Sequence, residues 1–175
     1  MSLPIALASC FYVGGTARTT FDLETKEPVY AAYGYFGAFS QQGISDNTVT
    51  EVDDRHGGYF ALSMGVVKDQ RLDRWMGLFG PRFGWLWPHG FTEIGVDMRI
   101  SGSDPEQLVG VMIAVGPRIT VRKKGPRSET DTGRTATVLS GGAVIGFSAG
   151  DGFRPEAGAA VGLHHQFWAP RGRYY

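Results

Sequence analysis

The chain has 175 residues, no net charge, 19% charged residues, 26 glycines, 13% aromatics and one cysteine. The length suits one domain. Neutrality removes any long-range electrostatic case for a nucleic-acid partner, and a single cysteine excludes an internal disulfide. No apolar run reaches the ~18 residues that a membrane helix needs, whereas a membrane-spanning barrel stays open because its signal is weak strand by strand.

At the amino end, Leu7-Ala8-Ser9-Cys10 resembles the lipobox of bacterial lipoproteins: aliphatic, small, small, then the acylated cysteine. The resemblance implies that residues 1–10 are a signal remnant and that Cys10 is the lipidation site. No Lys or Arg precedes the box, and the apolar stretch falls short of the about 7–15 residues of a signal core. The competing reading is a free cysteine at the edge of the first strand.

From there the chain reads as strand after strand. Eight segments alternate at period two, the strand signature: 11–23, 29–40, 58–67, 74–86, 91–100, 107–121, 135–148 and 157–168. Turn chemistry separates several of them, at Lys26-Glu27-Pro28, Trp87-Pro88-His89-Gly90, Ser101–Pro105 and Ala149–Gly152. The longer connections, Gln41–Gly57 and Arg122–Arg134, are polar. The basic run Arg118–Arg127, followed by Glu129 and Asp131, reads as a solvated loop. Asp69–Met76 is the one candidate for a turn of helix. These boundaries predict one barrel domain over 11–168 with a short tail at 169–175.

The alternation is sided. In Thr92–Arg99, Thr, Ile, Val and Met occupy one face and Glu93, Gly95, Asp97 and Arg99 the other. In strand four, Trp75, Phe79, Phe83, Trp85 and Trp87 oppose Arg74, Met76, Leu78, Gly80, Arg82 and Gly84. In strand six the valines and isoleucines oppose Gly110, Ala114, Gly116 and Arg118. One face is large and apolar; the other is small with scattered charges. A soluble sheet would show Lys, Glu, Thr and Gln on its wet face. Small residues with opposed charges suit the narrow lumen of an eight-stranded barrel. Arg18, Arg74, Arg82, Glu93, Asp97, Arg99 and Arg118 are expected to pair there, with His164 facing the same lumen beside Gln166. Trp75, Trp85 and Trp87 would mark the two membrane interfaces, with Phe79 and Phe83 between them.

The last strand adds a resemblance. Glu156-Ala157-Gly158-Ala159-Ala160-Val161-Gly162-Leu163 is similar to the β-signal of outer-membrane proteins, carried by Glu156, Gly158, Val161 and Leu163 and followed by the aromatics Phe167 and Trp168. Over 11–168 the chain thus resembles small outer-membrane barrels of the OmpA or OmpX type. The resemblance implies an all-β, antiparallel up-and-down barrel of about eight strands in the bacterial outer membrane. Its implied partners are outer-membrane lipid and the barrel-assembly machinery. In that family the long connections follow the odd strands; here they follow strands two and six. Pro81 and Pro117 fall inside strands, where each removes a ladder donor and favours a bulge or a local edge.

Candidate chemistry is sparse. His56, His89, His164 and His165 lack metal-ligand spacing, and no phosphate loop or cofactor motif is present. His164 and the adjacent His165 must point to opposite faces. Barrel enzymes that modify lipid A pair His with Ser and an acid. His164 with Ser140 and Glu93 is the matching trio here, weighed against a plain hydrogen-bonding role in the lumen. Three readings follow: an outer-membrane barrel with a structural or interaction role; a soluble β-barrel lipoprotein or assembly subunit that binds an apolar ligand, a protein or further copies of itself; and a barrel enzyme acting on lipid.

Overall fold

A segment whose bulky and small side chains alternate sorts them only when extended, because neighbouring side chains then point to opposite faces. In the computed structural model each alternating segment is a strand: β1 (Cys10–Asp22), β2 (Pro28–Phe39), β3 (Gly57–Asp69), β4 (Arg74–Leu86), β5 (Gly90–Ile100), β6 (Gln107–Lys124), β7 (Arg134–Ala149) and β8 (Phe153–Trp168). The structure describes residues 10–39, 57–102, 107–124, 134–150 and 152–168. Leu7–Ser9 of the lipobox-like segment, His56 and the tail 169–175 lie outside the described residues.

Each strand pairs antiparallel with its sequence neighbours and β1 pairs with β8, so the sheet closes into the expected eight-stranded up-and-down barrel. Closure leaves no strand edge to be covered. Two local expectations are corrected. The link Gln70–Asp73 is a tight turn and not a turn of helix, with Asp73 at φ 46°; the paired ends of β3 and β4 leave no length for a helix. The basic run does not start as a loop, because β6 continues to Lys124 and Arg118 is buried in the lumen.

One circuit of the sheet gives its stagger. Phe11 pairs with Ala38, and Phe60, Phe83, Ile94, Ile113, Ile145 and Ala157 follow strand by strand before Phe21 closes the circuit on β1. The path returns to β1 about ten residues on, which tilts the strands by roughly 43° and sets a radius of about 8 Å. Every residue on this circuit is apolar and faces outward. The adjacent circuit, Tyr12, Gly37, Ala61, Arg82, Gly95, Met112, Gly146, Glu156 and Asp22, faces inward.

So narrow a barrel leaves some inward positions no room for a side chain. A Cβ on Gly37 would lie 2.0 Å from the Phe60 carbonyl oxygen, and one on Gly65 would lie 2.1 Å from that of Ala32. The prolines act as predicted in part. Pairing of β4 with β5 lapses at Gly80–Pro81, and pairing of β6 with β7 lapses at Gly116–Pro117, without a change of register. The register shift falls instead between Thr120 and Arg122.

Candidate functional site in the barrel lumen

The buried polar groups form layers along the axis. At the end carrying the β1–β2 and β3–β4 turns, Arg71 folds from its turn back over the lumen. It pairs with Asp69, with Asp22 at 2.9 Å and with Glu156 at 3.5 Å. Glu156 also takes Arg99 at 3.0 Å and a hydrogen bond from Thr20 at 2.7 Å. Asp22 accepts the backbone N–H groups of Glu24 and Thr25 as well, so the same carboxylate shapes its own turn. Burial works against the Arg71 cation, but its hydrogen bonds to Asp69 and Asp22 and the charge of Glu156 outweigh this and hold its pKa above the ordinary arginine value. This end of the lumen is plugged.

The middle layer crosses the barrel. Arg18 on β1 reaches Asp97 on β5, half the circumference away, at 2.6 Å. Asp97 also receives Arg82, which donates through Nε to Ser63 at 3.1 Å, lies 3.5 Å from Glu93 and sits over the Tyr33 ring at 4.2 Å. A bridge across the full width of the lumen, with Arg18, Arg82, Asp97 and Arg99 all buried, leaves no open bore at this level. Buried charges of this kind are tolerable only when paired.

Towards the other end lies an aromatic layer. The Tyr12 hydroxyl is 3.0 Å from His164 Nδ1, and Tyr35 bonds the same nitrogen. Tyr59 donates to Glu93 at 2.5 Å. These rings enclose a cavity of about 20 Å³ lined by Glu93, Ser140 and His164 among others, room for a water-sized group. The expected trio thus shares one cavity, but not as a relay. His164 Nδ1 is held by tyrosines, Ser140 donates to the Gly162 carbonyl at 3.5 Å, and Glu93 is engaged by Tyr59 and Arg82. A lipid ester does not fit in such a space.

The remaining sequence candidates can be placed one by one. Arg118 is buried and donates to the Pro88 carbonyl at 3.3 Å, near the aromatic layer and away from the Asp97 cluster. Arg74 is half-buried at the plugged end. His165 faces outward, opposite to His164, and meets Thr137 at 2.9 Å. In β8, Glu156 serves the plug, and a Cβ on Gly158 would lie 2.0 Å from the Thr19 carbonyl oxygen. Val161, Leu163 and Phe167 face outward. Cys10 opens β1 opposite Trp168.

The outer face is the second candidate surface. Trp75 near the start of β4 and Trp87 just past its end, both exposed, occupy opposite ends of the outer face. At 3.3 Å per residue and the tilt above, they stand about 29 Å apart along the axis. Phe21, Tyr30 and Phe153 join Trp75 at one rim, and Phe11 and Phe167 join Trp87 at the other. Between the rims the exposed residues include Leu62, Met64, Phe79, Phe83, Ile94, Ile113, Ile145 and Val161, with Trp85 half-buried. Among the described strand side chains no carboxylate faces outward; the outward cations Lys68 and Arg122 lie at opposite ends.

Sequence reasoning missed Arg71, Asp69 and the tyrosine layer. Arg71 sits in a turn, where alternation says nothing of direction. Tyr12, Tyr59 and Asp22 alternate with outward-facing neighbours, so period two is the signal that could have placed them in the lumen. Glu156 stood out for another reason, and its ion pairs depend on β8 closing against β1. Among the described residues, no group of three or more His, Cys, Asp and Glu side chains could hold a metal ion. Compared with protein-family models, curated proteins and solved structures, the chain matches none.

Proposed function

We propose that this protein is an integral β-barrel of the bacterial outer membrane with a structural or interaction role and a plugged lumen. One observation carries the reading: the outer face is an apolar belt about 29 Å deep that bears no described carboxylate and is rimmed by Trp75 and Trp87. A soluble monomer rarely exposes a contiguous apolar patch above a few hundred Å². A bilayer whose hydrocarbon is about 30 Å thick covers such a belt. In this reading β8 is the strand that the barrel-assembly machinery engages, and outer-membrane lipid is the main partner. An acyl group on Cys10 would add an anchor at the Trp87 rim.

The test is mobility in SDS of the membrane fraction, with and without boiling, together with extraction. A folded barrel that shifts on heating and leaves the membrane only in detergent supports the reading. Protein that shows no shift and enters buffer without detergent would overturn it. The belt would then be a contact between subunits or a seat for an apolar partner.

A further inference from the structure

Strand β6 exchanges its inward and outward positions once. Up to Thr120 its even positions point into the lumen: Leu108, Met112 and Arg118 are buried, and Thr120 pairs with the buried Val138. The register shift then passes over Val121 and sets Arg122 opposite Thr137, which shares the outward side of β7 with the exposed Leu139. Unbroken alternation would send Arg122 into the lumen; the extra residue puts it, exposed, on the outer face. Bulges that re-aim a single side chain in this way are found beside binding sites.

The re-aimed arginine completes a polar row on a face that is otherwise apolar. Arg122 pairs with Thr137, and Thr137 pairs with His165, so the three lie side by side across β6, β7 and β8, neighbours about 4.5–5.5 Å apart. Thr137 Oγ1 is 2.9 Å from His165 Nδ1, and the Phe167 ring meets the imidazole edge-on with centroids 4.6 Å apart. These two contacts hold the ring and leave Nε2 to meet what lies outside. Among the described strand residues no carboxylate faces outward to take the guanidinium. The row is slanted by the strand tilt. His165 stands about 12 Å from the level midway between Trp75 and Trp87, Thr137 about 15 Å and Arg122 about 18 Å. It therefore straddles the edge of a hydrocarbon layer whose half-thickness is about 15 Å.

Resting on the membrane reading above, we propose that Arg122, Thr137 and His165 seat the phosphate of one anionic glycerophospholipid. A guanidinium matches phosphate oxygens in a fork of two hydrogen bonds, and at this depth it lies level with lipid headgroups. A zwitterionic lipid brings its own ammonium to the phosphate and gains less from the arginine. A glycolipid with several phosphates needs more cations than one guanidinium supplies. The surface below the row suits the acyl chains. Past Leu139 the outer face of β7 drops to Gly141 and Ala143. This floor runs between Val115 and Ile119 on β6 and Val161 and Leu163 on β8, all more than half exposed. The walls are two strand spacings apart, about 10 Å, which makes a furrow for one chain leading from the polar row towards the middle of the belt.

The test is native mass spectrometry of the full chain in detergent, with phosphatidylglycerol, phosphatidylcholine or lipid A added. The parent is compared with Arg122→Gln, His165→Phe and Lys68→Gln, the last at the outward cation of the opposite rim. Each protein is also run in SDS with and without boiling, so that a change in lipid binding is read on a folded barrel. The parent should retain one phosphatidylglycerol in preference to phosphatidylcholine. Arg122→Gln should weaken that retention about tenfold, His165→Phe should weaken it too, and Lys68→Gln should leave it unchanged. Equal retention of the two phospholipids by the parent, or undiminished retention of phosphatidylglycerol by Arg122→Gln, with the heat shift intact, overturns the seat and leaves the membrane reading standing. Tighter retention of lipid A than of phosphatidylglycerol, lost in Arg122→Gln, overturns the assigned occupant. A parent chain that shows no heat shift and stays in buffer without detergent overturns the membrane reading and the seat with it.

Discussion

Arginine introduced at successive outward positions of β6 should trace the depth of the bilayer. Ile113 and Val121 are both well exposed, at 42% and 63%, so in water neither substitution removes a core contact. In a membrane the two positions differ. Ile113 lies on the outward circuit from Phe11 to Phe21 and is at roughly the level of Pro81, midway between Trp75 and Trp87. Val121 is about 19 Å further along the axis, beyond the ~15 Å half-thickness of the hydrocarbon, and Val109 is about 10 Å away in the other direction. Ile113→Arg should cost about 2–4 kcal/mol, and Val121→Arg about 0–1 kcal/mol. Val109→Arg should fall between them. The assay is reversible denaturant unfolding of the barrel refolded in phospholipid vesicles, followed by tryptophan fluorescence. A flat profile along β6, or a larger cost at Val121 than at Ile113, would refute the reasoning, because only lipid makes the cost depend on depth.

Other outcomes follow from the lumen. Arg82→Met removes one of the two arginines on Asp97 and the ion partner of Glu93 and should lower unfolding stability by about 3–5 kcal/mol; Asp97→Leu, which leaves both Arg18 and Arg82 without that carboxylate, should cost at least as much, read from denaturant unfolding. Arg71→Ala leaves Asp22, Asp69 and Glu156 facing one another at the plug. Its cost should be largest at neutral pH and shrink in acid, as the carboxylates take up protons and their repulsion vanishes while the parent loses its ion pairs, read from unfolding midpoints at two pH values. Gly37→Ala drives a methyl against the Phe60 backbone and should destabilise by about 1–3 kcal/mol. Gly102→Ala, with open space around it, should leave the midpoint unchanged.

Much of this architecture was legible before any coordinates. Period two places every side chain of a strand on one of two faces, so a sided pattern such as Thr92–Arg99 names both the belt and the lumen at once. The strand bounds, the opposite directions of His164 and His165, and the inward charges at Arg18, Arg82, Asp97 and Arg99 all come from that one regularity. The prolines were partly legible: losing a donor predicts a gap in a ladder, and gaps occur at Pro81 and Pro117. The register shift beside Val121 had no local mark.

What the sequence by itself determined about this protein is which residues face in and which face out, because alternation is a local property of the extended chain. What only the tertiary structure decided is who meets whom across the lumen. Arg18 finds Asp97 half a circumference away, Arg71 drops from its turn onto three carboxylates, and His164 settles among tyrosines and not into a relay with Ser140 and Glu93. Those pairings depend on strand number and stagger, which are set when the sheet closes on itself, and no stretch of sequence carries that closure alone.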